Sequence, residues 1–276
     1  MAEKRAHMKH IFAKSVILCF VISFLFAFFS LLFAAEKKFK EKRSTHFIIY
    51  YKEDVDVNFV NDIIDYAELY YEEIANNMGF MRYKFWLWDD RAIIYIYNDQ
   101  QSYLRDTGQP EWSAACTDYR EKKLWIYPHA AGFFDSILPH ELGHIIFREF
   151  VGFGRNIPLW LDEGVASYQE KSKRYAAKNM VKDLIAKDKL LTIEQMEEAS
   201  FPHDLERIGL EAFYAQSVSI IYFLIHDFDQ DRFLTLCRRL KQGQDFDEAL
   251  DETYYHFRNS ADLYDKWLYS ITNERY

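Results

Sequence analysis

The run HELGH at residues 140–144 has side chains of the right type and spacing to hold a metal ion next to a proton acceptor. His140 and His144 are four residues apart, so on a helix of about 3.6 residues per turn both imidazoles lie on one face and can reach one ion. Catalytic zinc takes three protein ligands and leaves one position open. Glu141 lies beside that open position, where a carboxylate can accept a proton. The pattern predicts a zinc site on a helix.

A third ligand is available on the next helical segment. Glu163 follows His144 by nineteen residues, in a segment that Pro158 opens after a reversing loop at residues 152–156. Two histidines and one glutamate are an established ligand set for catalytic zinc. The neighbouring Asp162 is either a partner that orients a ligand imidazole or an alternative ligand, and the spacing favours Glu163 as the ligand.

Two glycines stand inside these helical segments, where each costs about 1 kcal/mol of helix propensity relative to alanine. Gly143 lies between the histidines and Gly164 follows the third ligand. A small residue at each position makes sense if the helices approach each other closely around a metal ion.

The rest of the chain predicts an α+β fold with its strands in the first half. Residues 46–51, 92–97 and 124–127 are short runs rich in β-branched and aromatic residues, and the apolar positions of residues 60–78 recur with a helical period. From residue 136 onward the signals are helical, including the capping pair Thr192 and Gln195.

The zinc pattern resembles that of the gluzincin metallopeptidases, in particular the peptidase MA-like domains. The resemblance rests on HELGH, eighteen intervening residues and Glu163 within WLDEG, and it extends to the HFIIYY and YAQSVSIIYFL runs, from about residue 46 to residue 228. It implies a zincin-like, thermolysin-type fold, in which a mixed strand and helix lobe precedes a helical lobe. It also implies that His140, His144 and Glu163 bind one Zn²⁺, that Glu141 is catalytic and that Tyr214 stabilises the tetrahedral intermediate.

One branch of these enzymes, the aminopeptidase N family, carries a GAMEN motif that this sequence lacks. At a comparable distance before the zinc helix, residues 112–118 read WSAACTD. This stretch is either an edge strand that pairs with an extended peptide or an ordinary packed strand. We interpret Cys116 as structural, and the sequence leaves its pairing with Cys237 open.

The N-terminal part of the chain predicts a membrane anchor. Residues 15–35 contain no charge, and 21 helical residues match a bilayer core of about 30 Å. Cleaved signal peptides carry a shorter apolar run of about 7 to 15 residues, so we expect an uncleaved anchor. Basic residues flank both ends of this segment and leave its orientation open, but short basic tails usually stay inside. We therefore expect an extracytoplasmic catalytic domain.

The distribution of charged residues also separates the N-terminal part of the chain from the rest. Residues 1–43 carry nine Lys or Arg against three Asp or Glu, whereas the remainder carries 25 against 40. An acidic body repels nucleic acid and anionic lipid, so we expect no nucleic-acid partner and membrane contact only through the N-terminus. The predicted organisation is a basic tail (1–14), an anchor (15–35), a basic linker (36–43) and a metallopeptidase domain (44–276), the last comprising an α/β lobe (44–155) and a helical lobe (156–276).

Together these observations predict a membrane-anchored zinc peptidase that acts on a peptide or protein substrate. Zinc activates a water molecule whose proton Glu141 takes and later passes to the leaving amine. The alternative is a catalytically silent binding module with the same fold, tethered to the membrane. Three further histidines, His129 before the motif and His203 and His226 after it, receive no role, and the oligomeric state is not predicted.

Overall fold

The computed structural model describes residues 39–80, 86–87, 90–111, 113–128, 132–199 and 209–273. Within these residues no helix has the length and apolar character to cross a membrane. The predicted anchor, residues 15–35, lies outside the described part of the chain. Glu41–Tyr276 form one compact unit, and the account below concerns that unit.

The sheet has five strands in the described residues, in the order β1-β2-β3-β5-β4. Strands β2, β3 and β5 are parallel, and β4 pairs with β5 in the antiparallel sense at one edge. Residues 115–118 of the WSAACTD stretch thus form an edge strand, and the pairing of this edge with a peptide stays a prediction. The strands are β1 (Lys40–Arg43), β2 (Phe47–Tyr51), β3 (Ala92–Ile96), β4 (Ala115–Asp118) and β5 (Lys123–Ile126).

Strand β1 occupies the opposite edge of the sheet and has the sequence KEKR, with all four residues exposed. The sequence analysis includes these residues in the basic linker. They lack the apolar alternation that identifies a strand, because neither face of β1 is buried. In β2 and β3 the alternation is clear, since Phe47, Ile49 and Ile94 are buried while their neighbours are partly exposed.

Among the described residues, two α-helices lie between the strands. Helix α1 (Val57–Asn77) links β2 to β3, and α2 (Gln100–Thr107) follows β3. The carboxylates of Asp56 and Asp99 cap them by accepting hydrogen bonds from backbone N–H groups of the first turn. The helical period predicted for residues 60–78 is confirmed, because α1 buries that apolar face in the core.

The second half is helical, as predicted, and the Thr192–Gln195 capping box is present. The whole is a mixed α/β structure with a small sheet and mostly helical content. One π-helical turn, Phe133–Ile137, leads into α3, and another, Leu224–Phe228, follows α7. The helices in the described part of this half are α3 (Leu138–Val151), α4 (Leu159–Gln169), α5 (Lys171–Ala186), α6 (Ile193–Glu197), α7 (Leu210–Phe223), α8 (Gln230–Gln242), α9 (Phe246–Tyr254) and α10 (Ser260–Thr272).

The two glycines mark close helix contacts. A Cβ on Gly143 would lie 2.9 Å from Gln169 Cγ and 3.1 Å from Ala166 Cα, both on α4, so this glycine lets α3 and α4 meet as expected. Gly164 instead faces α7, where a Cβ would lie 2.7 Å from the carbonyl oxygen of Ser217. The tight packing around α4 therefore involves a third helix that the sequence did not indicate.

Candidate metal centre

Three donor atoms from α3 and α4 form a nearly equilateral triangle. The Nε2 atoms of His140 and His144 are 3.2 Å apart, and each lies 3.5 Å from Oε2 of Glu163. Donor atoms at the corners of a tetrahedron, each about 2.0–2.1 Å from a central zinc, are about 3.3–3.4 Å apart. The triangle therefore has the dimensions of one face of a tetrahedral metal site, and these three residues form a group that could hold a metal ion.

The surroundings of Glu163 support a cation at this place. Its side chain is buried, and among the described residues Oε2 has no hydrogen-bond partner. Burying an ionised oxygen without compensation costs several kcal/mol, on the order of the penalty for an unpaired buried ion. An ion at the centre of the three donor atoms would supply the missing partner, so the residues fit a metal.

The outer nitrogen of each imidazole faces a carboxylate. His144 Nδ1 lies 3.2 Å from Asp162 Oδ1, and His140 Nδ1 lies 2.9 Å from Glu170 Oε1. When Nδ1 donates to a carboxylate, the lone pair of Nε2 is directed to the other side of the ring, towards the metal position. Asp162 thus contacts a ligand imidazole, as the first of its two proposed roles requires.

Each of these carboxylates also meets a cation. Arg148 donates from Nε to Asp162 Oδ2 at 2.8 Å, and Lys173 donates to Glu170 Oε1 at 2.7 Å. Both carboxylates are almost completely buried, so the cations compensate charge that water cannot reach. The result is two similar chains of contacts, each running from a cation through a carboxylate to an imidazole.

The local electrostatics favour positive charge between the donor atoms. Burial lowers the pKa of His140, but the carboxylates of Glu163 and Glu170 outweigh it and raise that pKa above its usual value. Burial raises the pKa of Glu163, but the charge of His144 and the nearby imidazole of His140 hold it far below the usual range. The site thus attracts a proton or a metal ion, and the two compete for the same atoms.

Glu141 lies outside the triangle and points towards the sheet edge. Thr117, on β4, donates from Oγ1 to Glu141 Oε2 at 2.5 Å. Tyr119, just after β4, places its ring 5.1 Å from that of His144. The edge strand therefore runs directly past the metal position and fixes the orientation of the carboxylate next to it.

Tyr214 approaches the centre from α7. Its ring lies 6.4 Å from that of His140, and Lys173 Nζ lies 5.4 Å from its centroid. Burial and the negative charge of Glu163 raise the pKa of the Tyr214 hydroxyl well above its usual value. The phenol therefore keeps its proton at neutral pH and can act as a hydrogen-bond donor.

Comparison with known proteins adds one finding to this geometry. A protein-family model described as the peptidase MA superfamily matches residues 89–273, about two thirds of the chain. The chain belongs to the peptidase MA superfamily. The matched range includes α3, α4 and α7, which contribute the donor triangle, Glu141 and Tyr214, and it confirms the predicted family. No match was found among curated proteins.

In this peptidase MA chain, some residues around the metal position belong to no motif that the sequence analysis could identify. Glu170 follows Glu163 by seven residues, two helical turns, and that spacing could have indicated a second carboxylate on the same face. The contacts of Thr117 and Arg148 depend on tertiary packing and leave no local signal. His226 accepts or donates a hydrogen bond with Tyr168 and is not among the donor atoms, and His129 and His203 lie outside the described residues.

Proposed function

We propose that this protein is a membrane-tethered, gluzincin-type zinc peptidase with a thermolysin-like fold. The observation that carries the proposal is the triangle of two imidazole nitrogens and one carboxylate oxygen next to Glu141, in a member of the peptidase MA superfamily. A His₂Glu set with one open position is the usual arrangement for catalytic zinc. When bound, zinc supplies a Lewis acid that activates water and polarises the scissile carbonyl.

Glu141 acts as the general base. The hydrogen bond from Thr117 leaves its second carboxylate oxygen available, and that oxygen can take a proton from the attacking water. The same carboxyl group then passes the proton to the nitrogen of the leaving amine. Its position beside the donor triangle, rather than in it, suits this transfer.

Tyr214 stabilises the negative oxygen that forms on the former carbonyl. Its hydroxyl stays protonated, because burial and Glu163 raise its pKa, and a donor fixed in place before the reaction costs no reorganisation.

Strand β4 positions the substrate. An extended peptide can pair with the free side of this edge strand through backbone hydrogen bonds, which brings its carbonyls towards Glu141.

Metal removal tests the proposal directly. The full-length protein in detergent is expected to contain about one zinc per chain, and its casein hydrolysis should stop after treatment with a chelator and return when zinc is restored. Elemental analysis and release of acid-soluble peptides measure the two quantities. Cleavage that continues after complete zinc removal would refute the zinc mechanism, and stoichiometric zinc without any cleavage would favour the silent binding module instead.

We also propose that residues 15–35 tether the domain to a membrane with the catalytic part on the extracytoplasmic side. The support is the length of this uncharged segment and the short basic tail before it, a kind of tail that usually stays inside. Protease added to intact cells should then digest the domain without lysis. A domain that is protected until the cells are opened would contradict this orientation.

A further inference from the structure

A cavity of about 600 Å³ adjoins the metal centre on one side. It lies between the edge strand and the end of α3, at the loop that leads into α4. This volume exceeds that of any single side chain and falls in the range of ligand sites, about 300–1,000 Å³. Its lining includes Thr117, Tyr119, Trp125, Arg148, Phe153 and Asp162.

The cavity shares three residues with the metal centre. Thr117 hydrogen-bonds to Glu141, Tyr119 packs near His144, and Asp162 faces Nδ1 of His144. A peptide whose carbonyl reaches the metal position along β4 must therefore pass over the mouth of this cavity. The cavity is in the right place to accept a side chain close to the scissile bond.

The chemistry of the lining favours a large apolar group. Three of the nine described residues that line the cavity are aromatic, namely Tyr119, Trp125 and Phe153. Arg148 brings a positive charge, but its guanidinium lies 2.8 Å from Asp162 Oδ2, which compensates it. Asp118 and Arg120 carry opposite charges, so the lining has no net charge and offers no strong attraction to an acidic or basic side chain.

The direction of β4 determines which part of a substrate meets the cavity. Thr117 lies opposite Glu141, and Tyr119 lies opposite His144, so this strand and its following turn run in the same direction as α3. The cavity extends further in that direction, to Arg148. A peptide paired antiparallel to β4, the more stable arrangement per residue, runs the other way. Its N-terminal side therefore covers the cavity.

We propose that this cavity selects substrates with a large aromatic or aliphatic side chain on the N-terminal side of the scissile bond. The inference rests on the proposed peptidase function. It identifies Phe153, which lies in the loop between α3 and α4 and is not one of the three donor residues, as a determinant of specificity.

The test uses the full-length zinc protein and blocked hexapeptides of alanine and glycine that carry one phenylalanine, placed at each position in turn. Wild type should cleave fastest when phenylalanine is the first or second residue on the N-terminal side of the scissile bond. Peptides with phenylalanine on the C-terminal side should be cleaved at least about tenfold more slowly, because apolar pockets discriminate by about 10- to 200-fold. Phe153→Ala should reduce this preference about tenfold while the zinc content stays the same. Tyr175→Ala, which removes an aromatic ring that is 73% exposed on α5, is the matched control and should keep the preference.

A second measurement separates this inference from the hydrolysis itself. In the zinc form of Glu141→Gln, the affinity for the same peptides can be measured by calorimetry without cleavage. Tighter binding of a phenylalanine peptide that Phe153→Ala abolishes would support the cavity even if wild type cleaves nothing, and only the proposed hydrolysis would then fail. Three results would overturn the inference. They are a preference for phenylalanine on the C-terminal side of the scissile bond, a preference that Phe153→Ala leaves unchanged, and the absence of any selective binding and cleavage.

Discussion

Replacing Glu141 with glutamine is expected to slow casein hydrolysis by about 10²- to 10⁴-fold, the usual contribution of a general base. Glutamine has the same shape and can still accept the hydrogen bond from Thr117, but its amide cannot take a proton from water. The donor triangle does not include Glu141, so zinc content should remain near one per chain. Initial rates of casein cleavage and elemental analysis of the same sample measure both effects.

Two further variants give this experiment its controls. Glu163→Ala removes one corner of the triangle and should lose both zinc and cleavage. Glu248→Gln makes the same chemical change at an exposed position on α9 and should alter neither. If Glu141→Gln keeps wild-type activity, Glu141 is not the base, and if it loses zinc, the loss of activity no longer reports on proton transfer.

Replacing Gly164 with alanine is expected to destabilise the protein by about 2 kcal/mol or more. Alanine gains about 1 kcal/mol of helix propensity, but overpacking costs about 1–3 kcal/mol and occasionally more. The upper end applies here, because the new methyl group would lie 2.7 Å from the carbonyl oxygen of Ser217 and 2.8 Å from Ile221 Cγ1. Backbone cannot rotate away as a flexible side chain can, so α4 and α7 must separate.

Thermal unfolding measures this effect. For a domain of this size, about 2 kcal/mol corresponds to a decrease in Tm of about 4–8 °C. Gly154→Ala is the matched control, because a Cβ at this exposed loop position meets no atom within 4 Å. The Tm of this variant should be unchanged or slightly higher than that of the wild type. An equal or higher Tm for Gly164→Ala would show that α4 and α7 do not pack as closely as described.

The sequence predicted the parts of this site that depend on local periodicity. The spacing of His140 and His144 fixes their common face on a helix, whatever surrounds them, and the apolar positions of α1 likewise determine its buried side. Glu163 could be predicted because a short reversal between two helices brings a residue at that distance back to the first helix. These relations need no knowledge of the rest of the fold.

Other features depend on which elements meet in space. Thr117 reaches Glu141 only because β4 is the edge strand, and Glu170 reaches His140 only because the end of α4 packs beside α3. Gly164 could be recognised as a close contact, but not as a contact with α7. Strand β1 gives no periodic signal at all, since four exposed charged residues look like a linker until the neighbouring strand is known.

Because strand β1 consists of charged residues, the two borders of the sheet, formed by β1 and β4, differ in their tendency to pair with another strand. A row of lysine, glutamate and arginine side chains discourages a foreign strand from joining there, which is a common defence against aggregation through open sheet borders. At the other border, Ala115, Cys116 and Thr117 present no such row of charges. Of the two borders, the one beside the metal position is thus the more receptive to an extended chain, and this asymmetry suits the proposed binding of a peptide substrate along β4.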